Sequence, residues 1–177
     1  GVPSESVAIF PGSKMAIRSI LGHVARYATL PMCYPGFLRE ADAMGRAAPE
    51  HVPAADVAEA IKMLHEHPRT VLFVDSPAYF TGLRLSVEEA IAIGNEARRE
   101  NFVVVDSSSS MIFHPDPRYV SGGRTLFLGS LSKPFCLAGL RLGYIVGPAA
   151  IINQLDHRFL HFELSSYSLD VAPRLIQ

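Results

Sequence analysis

Hydrophobic periodicity along the 177 residues predicts an α/β fold, a mostly parallel sheet with helices on both faces. Residues 71–74 and 102–105 are apolar at every position, the pattern of strands buried on both sides rather than one. Between such runs apolar residues recur at helical spacing, and no repeat, low-complexity tract or long linker divides the chain. A single domain follows.

Residues 7–10 read as the first strand, which runs into Pro11-Gly12-Ser13-Lys14; Met15, Ile17, Ile20, Leu21 and Val24 then mark a helix. A second helix is expected from near Pro53, a residue acceptable in a first turn, with Val57, Ala60, Ile61 and Leu64 on its apolar face. Residues 71–74 form the next strand, which ends at Asp75-Ser76-Pro77. Ser86 and Glu89 make a capping box, so a helix should run through Ile91, Ala92 and Ala97 to Glu100. The strand over residues 102–105 ends abruptly in Asp106. Further strands are expected over residues 125–128 and 140–146, and a helix over residues 148–161.

Composition narrows the function classes. A hydrophobic content of 49% and charged content of 19% describe a soluble globular domain with a sizeable core. A net charge of -1 provides no field for DNA or an anionic membrane, so no nucleic-acid or membrane partner is expected. Cys33 and Cys136 are too few for a disulfide scaffold or a four-cysteine zinc site and suit a reducing cytoplasm. No apolar run is long enough to span a bilayer and no signal peptide opens the chain. Chemistry that needs an amine has three lysines to choose from, Lys14, Lys62 and Lys133, against thirteen arginines. The chain opens at Gly1 without a Met and its end reads as helix, so it is expected to be part of a longer protein.

In parallel sheets ligands bind beyond the carboxyl ends of the strands. That directs attention to Gly12-Ser13-Lys14, to residues 75–82, to Asp106 with the four serines after it, and to residues 130–133. Gly12-Ser13-Lys14 opens a helix, where unpaired N–H groups and the helix dipole receive a phosphate; a helix cap would read the same way, and the nucleotide P-loop spacing is absent. Asp106, at the end of a buried strand, is either a desolvated carboxylate with a cationic or N–H partner or a cap on the following turn.

The most specific segment is Gly129-Ser130-Leu131-Ser132-Lys133, followed by Gly139-Leu140-Arg141-Leu142-Gly143-Tyr144: a Ser three before a Lys, then Gly-x-Arg-x-Gly-Tyr. It resembles the pyridoxal phosphate lysine segment of the fold type I, class I/II aminotransferases, and the likeness extends in order over nearly the whole chain. The resemblance implies an aminotransferase-like large domain over residues 1–177, lacking the N-terminal arm and C-terminal small domain of the family. It implies a pyridoxal-phosphate-dependent transferase, cytoplasmic and homodimeric, that acts on amino acid and 2-oxo acid substrates. Lys133 would carry the Schiff base to pyridoxal 5'-phosphate, and Ser130, Arg141 and the backbone at Gly12, Ser13 and Lys14 would hold its phosphate. Tyr34 would lie on the pyridine ring and Asp106 would pair with the ring nitrogen. Residues 76–82 match the segment usually written Asn-Pro-x-Asn-Pro-Thr-Gly.

The chemistry agrees with these expectations. The cofactor aldehyde needs an amine nucleophile, and a partly desolvated lysine near cations has a lowered pKa; Lys133 qualifies through Arg141. A negative Asp106 keeps the ring nitrogen protonated so that the ring accepts electrons, and Arg141 offers a phosphate a bidentate fork. Two positions depart from the family pattern. Tyr79 stands where Asn is common and Ser109 where Tyr is common, and both replaced residues usually donate hydrogen bonds to the cofactor's phenolic oxygen. That keeps decarboxylase, lyase or cyclase chemistry at the α-carbon as an alternative to transamination; cofactor binding without turnover is another, because the family's substrate-carboxylate Arg usually lies in a C-terminal small domain for which this chain has no residues.

A rival reading takes Ser130 to Lys133 as the Ser-x-x-Lys of serine β-lactamases, but neither Ser-Asp-Asn nor Lys-Thr-Gly occurs in the chain. No metal site is expected. His65 and His67 face different sides of a helix, and His157 and His161 share a face without a third ligand at motif spacing. Tyr27, Phe159 and Phe162 are expected in the core or an interface.

Overall fold

The computed structural model describes residues 2–98, 100–112, 116–121, 123–155 and 164–176. Its frame is one sheet of seven strands: β1 (Val7–Phe10), β2 (Arg26–Thr29), β3 (Glu50–Pro53), β4 (Thr70–Asp75), β5 (Phe102–Asp106), β6 (Thr125–Ser130) and β7 (Gly143–Val146). The helices are α1 (Ser13–His23), α2 (Gly36–Asp42), α3 (Val57–Glu66), α4 (Val87–Glu96), α5 (Ala149–Ile152) and α6 (Ser166–Leu175). Spatial order is β1-β7-β6-β5-β4-β2-β3, and β7 runs antiparallel to both its neighbours while the remaining pairs are parallel. The mostly parallel sheet that the sequence predicts is therefore present.

Both faces are covered, and β4 shows how. Val71 and Phe73 pack with Ile17, Ile20 and Leu21 of α1 and Phe37 of α2, whereas Leu72 and Val74 pack with Ala60 and Leu64 of α3 and Ile93 of α4. Alternate side chains of a strand point to opposite faces, so a strand between two helix layers must be apolar throughout. Each fully buried side chain of this kind contributes roughly 1.5–3 kcal/mol before the entropy of ordering it.

Several boundaries differ from the sequence expectation. Pro53 ends β3 rather than opening a helix; α3 starts after Asp56, whose carboxylate accepts the Glu59 N–H. Helix α4 has the expected reciprocal capping box between Ser86 and Glu89 but stops at Glu96, short of Glu100. Strand β7 begins at Gly143, because Ala138–Leu140 form a turn of 3-10 helix. Strands β2 and β3 and helix α2 were not anticipated. The expected helix over residues 148–161 is described only as α5 and the turns to Leu155; His157, His161, Phe159 and Phe162 lie outside the described residues. Tyr27 is a core residue, as expected.

Register brings one end of the sheet together. Asp75 pairs with Asp106, Asp106 with Leu128, Ser130 with Gly143, and Gly143 with Phe10. The carboxyl ends of β1, β4, β5 and β6 and the start of β7 thus share an edge. Gly143 permits the closest approach there, since a Cβ would lie 2.5 Å from the Ser13 nitrogen and 2.6 Å from the Gly12 carbonyl carbon.

Candidate functional site

At that edge a cleft of about 420 Å³ is lined by Ser13, Lys14, Tyr34, Asp75, Tyr79, Asp106, Ser108, Ser109, Ser130, Ser132, Lys133, Ala138 and Arg141. Nine residues singled out from the sequence are among them. The tenth, Gly12, lies beneath Arg141.

The β1–α1 turn is a strand, a tight bend and an uncapped helix start. Gly12 has φ 87°, a left-handed value that glycine adopts without a Cβ penalty, and no side chain caps α1. The first-turn N–H groups have no intrahelical carbonyl, so they and the positive end of the helix favour an anion. Arg141 lies directly over Gly12, where an added Cβ would stand 2.5 Å from Arg141 Nη2. Its Nη1 donates to the Ala138 carbonyl oxygen at 3.2 Å, and it has no carboxylate partner among the described residues. Lys14 is less available than Arg141, because its Nζ stands 4.0 Å from Oε1 of the buried Glu40, which also pairs with Arg18 Nε at 2.6 Å.

Asp106 is only 3% exposed. Its Oδ1 accepts the Ser108 N–H at 2.8 Å, so it does cap the turn, yet Oδ2 has no donor among the described residues. Burial pushes this carboxyl up to about 6; the Ser108 hydroxyl and the Ser108 N–H oppose that shift and the neighbouring charge of Asp75 adds to it. The two sequence readings of Asp106 are therefore compatible: one oxygen serves the turn and the other is left to the cleft.

Lys133 follows β6 in a turn closed by the Cys136 N–H donating to its carbonyl at 3.3 Å. The side chain lines the cleft but the residue is exposed, so the partial desolvation expected of it is not supplied by the described residues. Ser130 is engaged in its own loop, accepting the Ser132 N–H at 3.1 Å and donating to the Leu142 carbonyl at 3.4 Å. A serine oxygen with two lone pairs retains capacity for a further donor.

Tyr34 and Tyr79 form the aromatic wall, with ring centroids 5.4 Å apart and a 51° tilt. Burial raises the Tyr34 hydroxyl above its ordinary value, and the nearby Asp106 charge adds to that. Tyr79 is half exposed and packs edge-on against Phe80. Ser109 reaches the cleft beside Ser108. Asp75, Ser108 and Ser132 lie in the strand-end segments that the sequence points to, but the sequence reading assigns them no role. Asp75 carried the same signal as Asp106, an aspartate at the carboxyl end of an apolar strand, and could have been found by it. Among the described residues no group of His, Cys, Asp and Glu could hold a metal; His65 instead pairs with Glu96 at 3.3 Å.

Residues 32–172 match the family model described as aminotransferase class I and II. A curated relative, histidinol-phosphate aminotransferase of Thermobifida fusca, is 31% identical over 97% of this chain and 50% of its own length. The solved histidinol-phosphate aminotransferase of Sinorhizobium meliloti, in complex with pyridoxal-5'-phosphate, superposes with a TM-score of 0.80 at 18% identity, over 97% of this chain and 50% of that one. L-threonine-O-3-phosphate decarboxylase from Porphyromonas gingivalis superposes with a TM-score of 0.72 at 16% identity, over 99% of this chain and 55% of that one. These two superpositions show the fold. The chain spans about half the length of the relative from Thermobifida fusca. With the lysine segment, the strand-end aspartate and the uncapped helix start on one cleft, and the family match covering most of the chain, this protein belongs to the class I and II aminotransferase family.

Proposed function

We propose that the chain is the cofactor-binding large domain of a pyridoxal-phosphate-dependent aminotransferase, which acts on an amino acid and a 2-oxo acid through Lys133. The carrying observation is one cleft that holds a buried carboxylate oxygen without a hydrogen-bond donor among the described residues, an accessible lysine and an arginine over a helix start. These groups fit pyridoxal phosphate. The orphaned Asp106 Oδ2 suits a protonated ring nitrogen, and the space over Gly12 that a Cβ would fill lets Arg141 approach the anion-binding turn. The relative from Sinorhizobium meliloti, solved with that cofactor, adds support.

When bound, the cofactor supplies an electron-accepting ring that stabilises the charge left when a bond to the substrate α-carbon breaks. The N–H groups of Ser13 and Lys14, the Ser130 hydroxyl and the Arg141 fork would bind the phosphate dianion. Asp106 Oδ2 would hold the proton on the ring nitrogen. Tyr34 would cover one face of the ring, and Tyr79 and Ser109, which line the same cleft, would offer it hydroxyl donors. Lys133 Nζ, on the same cleft, would take the substrate α-proton as general base and give it back as general acid. The protein acts as a homodimer in the cytoplasm, a placement that the two unpaired cysteines support.

A second reading, decarboxylation or another reaction at the α-carbon, is favoured by Tyr79 and Ser109 at the positions that depart from the family pattern. Mass spectrometry of the full-length gene product with mixed amino acids and 2-oxo acids decides between them. The expected result is an amino acid lost as its 2-oxo acid accumulates, matched by amination of a second oxo acid. Loss of carbon dioxide without amino transfer would establish the second reading. Bound cofactor whose colour no amino acid alters would reduce the function to binding.

A further inference from the structure

Asp75 ends β4 beside Asp106, lines the cleft and takes no part in the chemistry described above. Its Oδ2 accepts two backbone N–H groups from different segments. One comes from Tyr34 at 3.0 Å, in the turn before α2, and the other from Tyr79 at 2.9 Å, in the turn that follows β4 itself. Hydrogen bonds to an ionised acceptor are roughly twice as strong as neutral ones, and here a single oxygen ties together the two backbones that carry the aromatic wall. Tyr34 also packs edge-on against Phe37 and Tyr79 against Phe80, but Asp75 Oδ2 is the acceptor that the two backbones share.

We propose that Asp75 is a positioning residue of this site, a carboxylate clasp that holds Tyr34 and Tyr79 at the spacing needed to receive a flat aromatic ligand. This rests on the reading of the cleft as the pyridoxal phosphate site. A second consequence concerns charge. Asp75 stands next to Asp106 in register and its charge opposes ionisation of Asp106. The other titratable or charged groups around it are Cys33 and Tyr34 from the turn before α2, Tyr79 from its own turn, Arg84 from the segment before α4, and Lys14, Lys133 and Arg141 across the cleft. Asp75 therefore both builds the wall and helps keep Asp106 in reserve until a cation arrives opposite it.

The test uses the apoprotein and pyridoxal phosphate as the probe. In the wild type the amide protons of Tyr34 and Tyr79 should shift with pH at one common midpoint, that of the Asp75 carboxyl carbon in NMR titration; amides that ignore that titration would overturn the clasp. In Asp75→Ala both amides should exchange with solvent about tenfold faster and pyridoxal phosphate should bind about tenfold more weakly, the consequence of removing the acceptor from two N–H groups. Asp75→Asn keeps an acceptor oxygen and should recover both readouts to within about threefold, while the Asp106 midpoint falls because the neighbouring charge has gone. Exchange and affinity unchanged in Asp75→Ala, or Asp75→Asn as impaired as Asp75→Ala, would overturn the proposal. The amide titration needs no variant to fold and no cofactor to bind. Failure of the wild type to bind pyridoxal phosphate would instead sink the reading of the cleft and leave the clasp to be judged on the amides.

Discussion

Three lysines compete for one covalent role, and their surroundings separate them. Lys62 lies on α3 with its Nζ 3.8 Å from Glu66, far from the cleft-lining residues. Lys14 lies in the first turn of α1, at the proposed phosphate site, and is drawn toward Glu40. Lys133 alone combines a place in the cleft with no carboxylate partner among the described residues. Reduction of the cofactor-loaded protein with borohydride, followed by peptide mapping, should place the pyridoxyl group between Ser132 and Pro134. A label on Lys14 or Lys62 would remove Lys133 from the mechanism. The same comparison shows what a residue-level reading can see: a lysine in a long motif is legible, whereas the acceptor role of Asp75 is not, because it depends on two amides brought from segments 41 and 4 residues away.

At the scale of elements, the β1–α1 unit works only with glycine at its bend. Gly12→Ala would place a Cβ 2.5 Å from Arg141 Nη2 at a φ of 87°, so the guanidinium must leave its position and the backbone carries strain of about 1 kcal/mol or more. Pyridoxal phosphate affinity, measured by titration, should fall about tenfold or more if Arg141 carries a charge-assisted phosphate contact. Unchanged affinity would show that Arg141 does not need that approach. This unit was legible because an apolar strand, a Gly-Ser bend and a helical stripe follow one another. Strand β3 was not legible: it is an exposed sheet edge paired on one side only, so Glu50, His51 and Pro53 are tolerated in it and no apolar alternation survives. Helix α2 escaped notice for a different reason, since its seven residues make too few turns to display a period. The start of α3 was misplaced because Pro53 suits a first helical turn and an edge strand alike, and only the Asp56 cap separates them.

The whole molecule bears a cost for its site, and Asp106 locates it. The carboxyl titrates at about 6 in the fold against 3.8 as its ordinary value, so between those pH values the folded chain binds more protons than the unfolded one. Stability attributable to this group is therefore unimpaired below pH 3.8, declines as pH rises toward 6, and above that range an ionised, buried Asp106 destabilises the apoprotein by about 3 kcal/mol. Asp106→Asn retains an oxygen for the Ser108 N–H and cannot ionise. Relative to the wild type, the variant apoprotein should thus be more stable at pH 8 than at pH 4 by about 2.5 kcal/mol, read from denaturant unfolding at the two pH values. With pyridoxal phosphate present the advantage should reverse, because a ring cation opposite Oδ2 stabilises the wild-type carboxylate and finds a neutral amide in the variant. The stabilisation that the cofactor confers on unfolding should accordingly be larger for the wild type, while proton exchange at the substrate α-carbon drops in Asp106→Asn by orders of magnitude, each tenfold being ~1.4 kcal/mol of barrier. A difference in stability that is the same at pH 4 and pH 8 would mean that Asp106 is a turn cap without a desolvation penalty, and equal stabilisation of both proteins by the cofactor would mean that its free oxygen does not meet the ring.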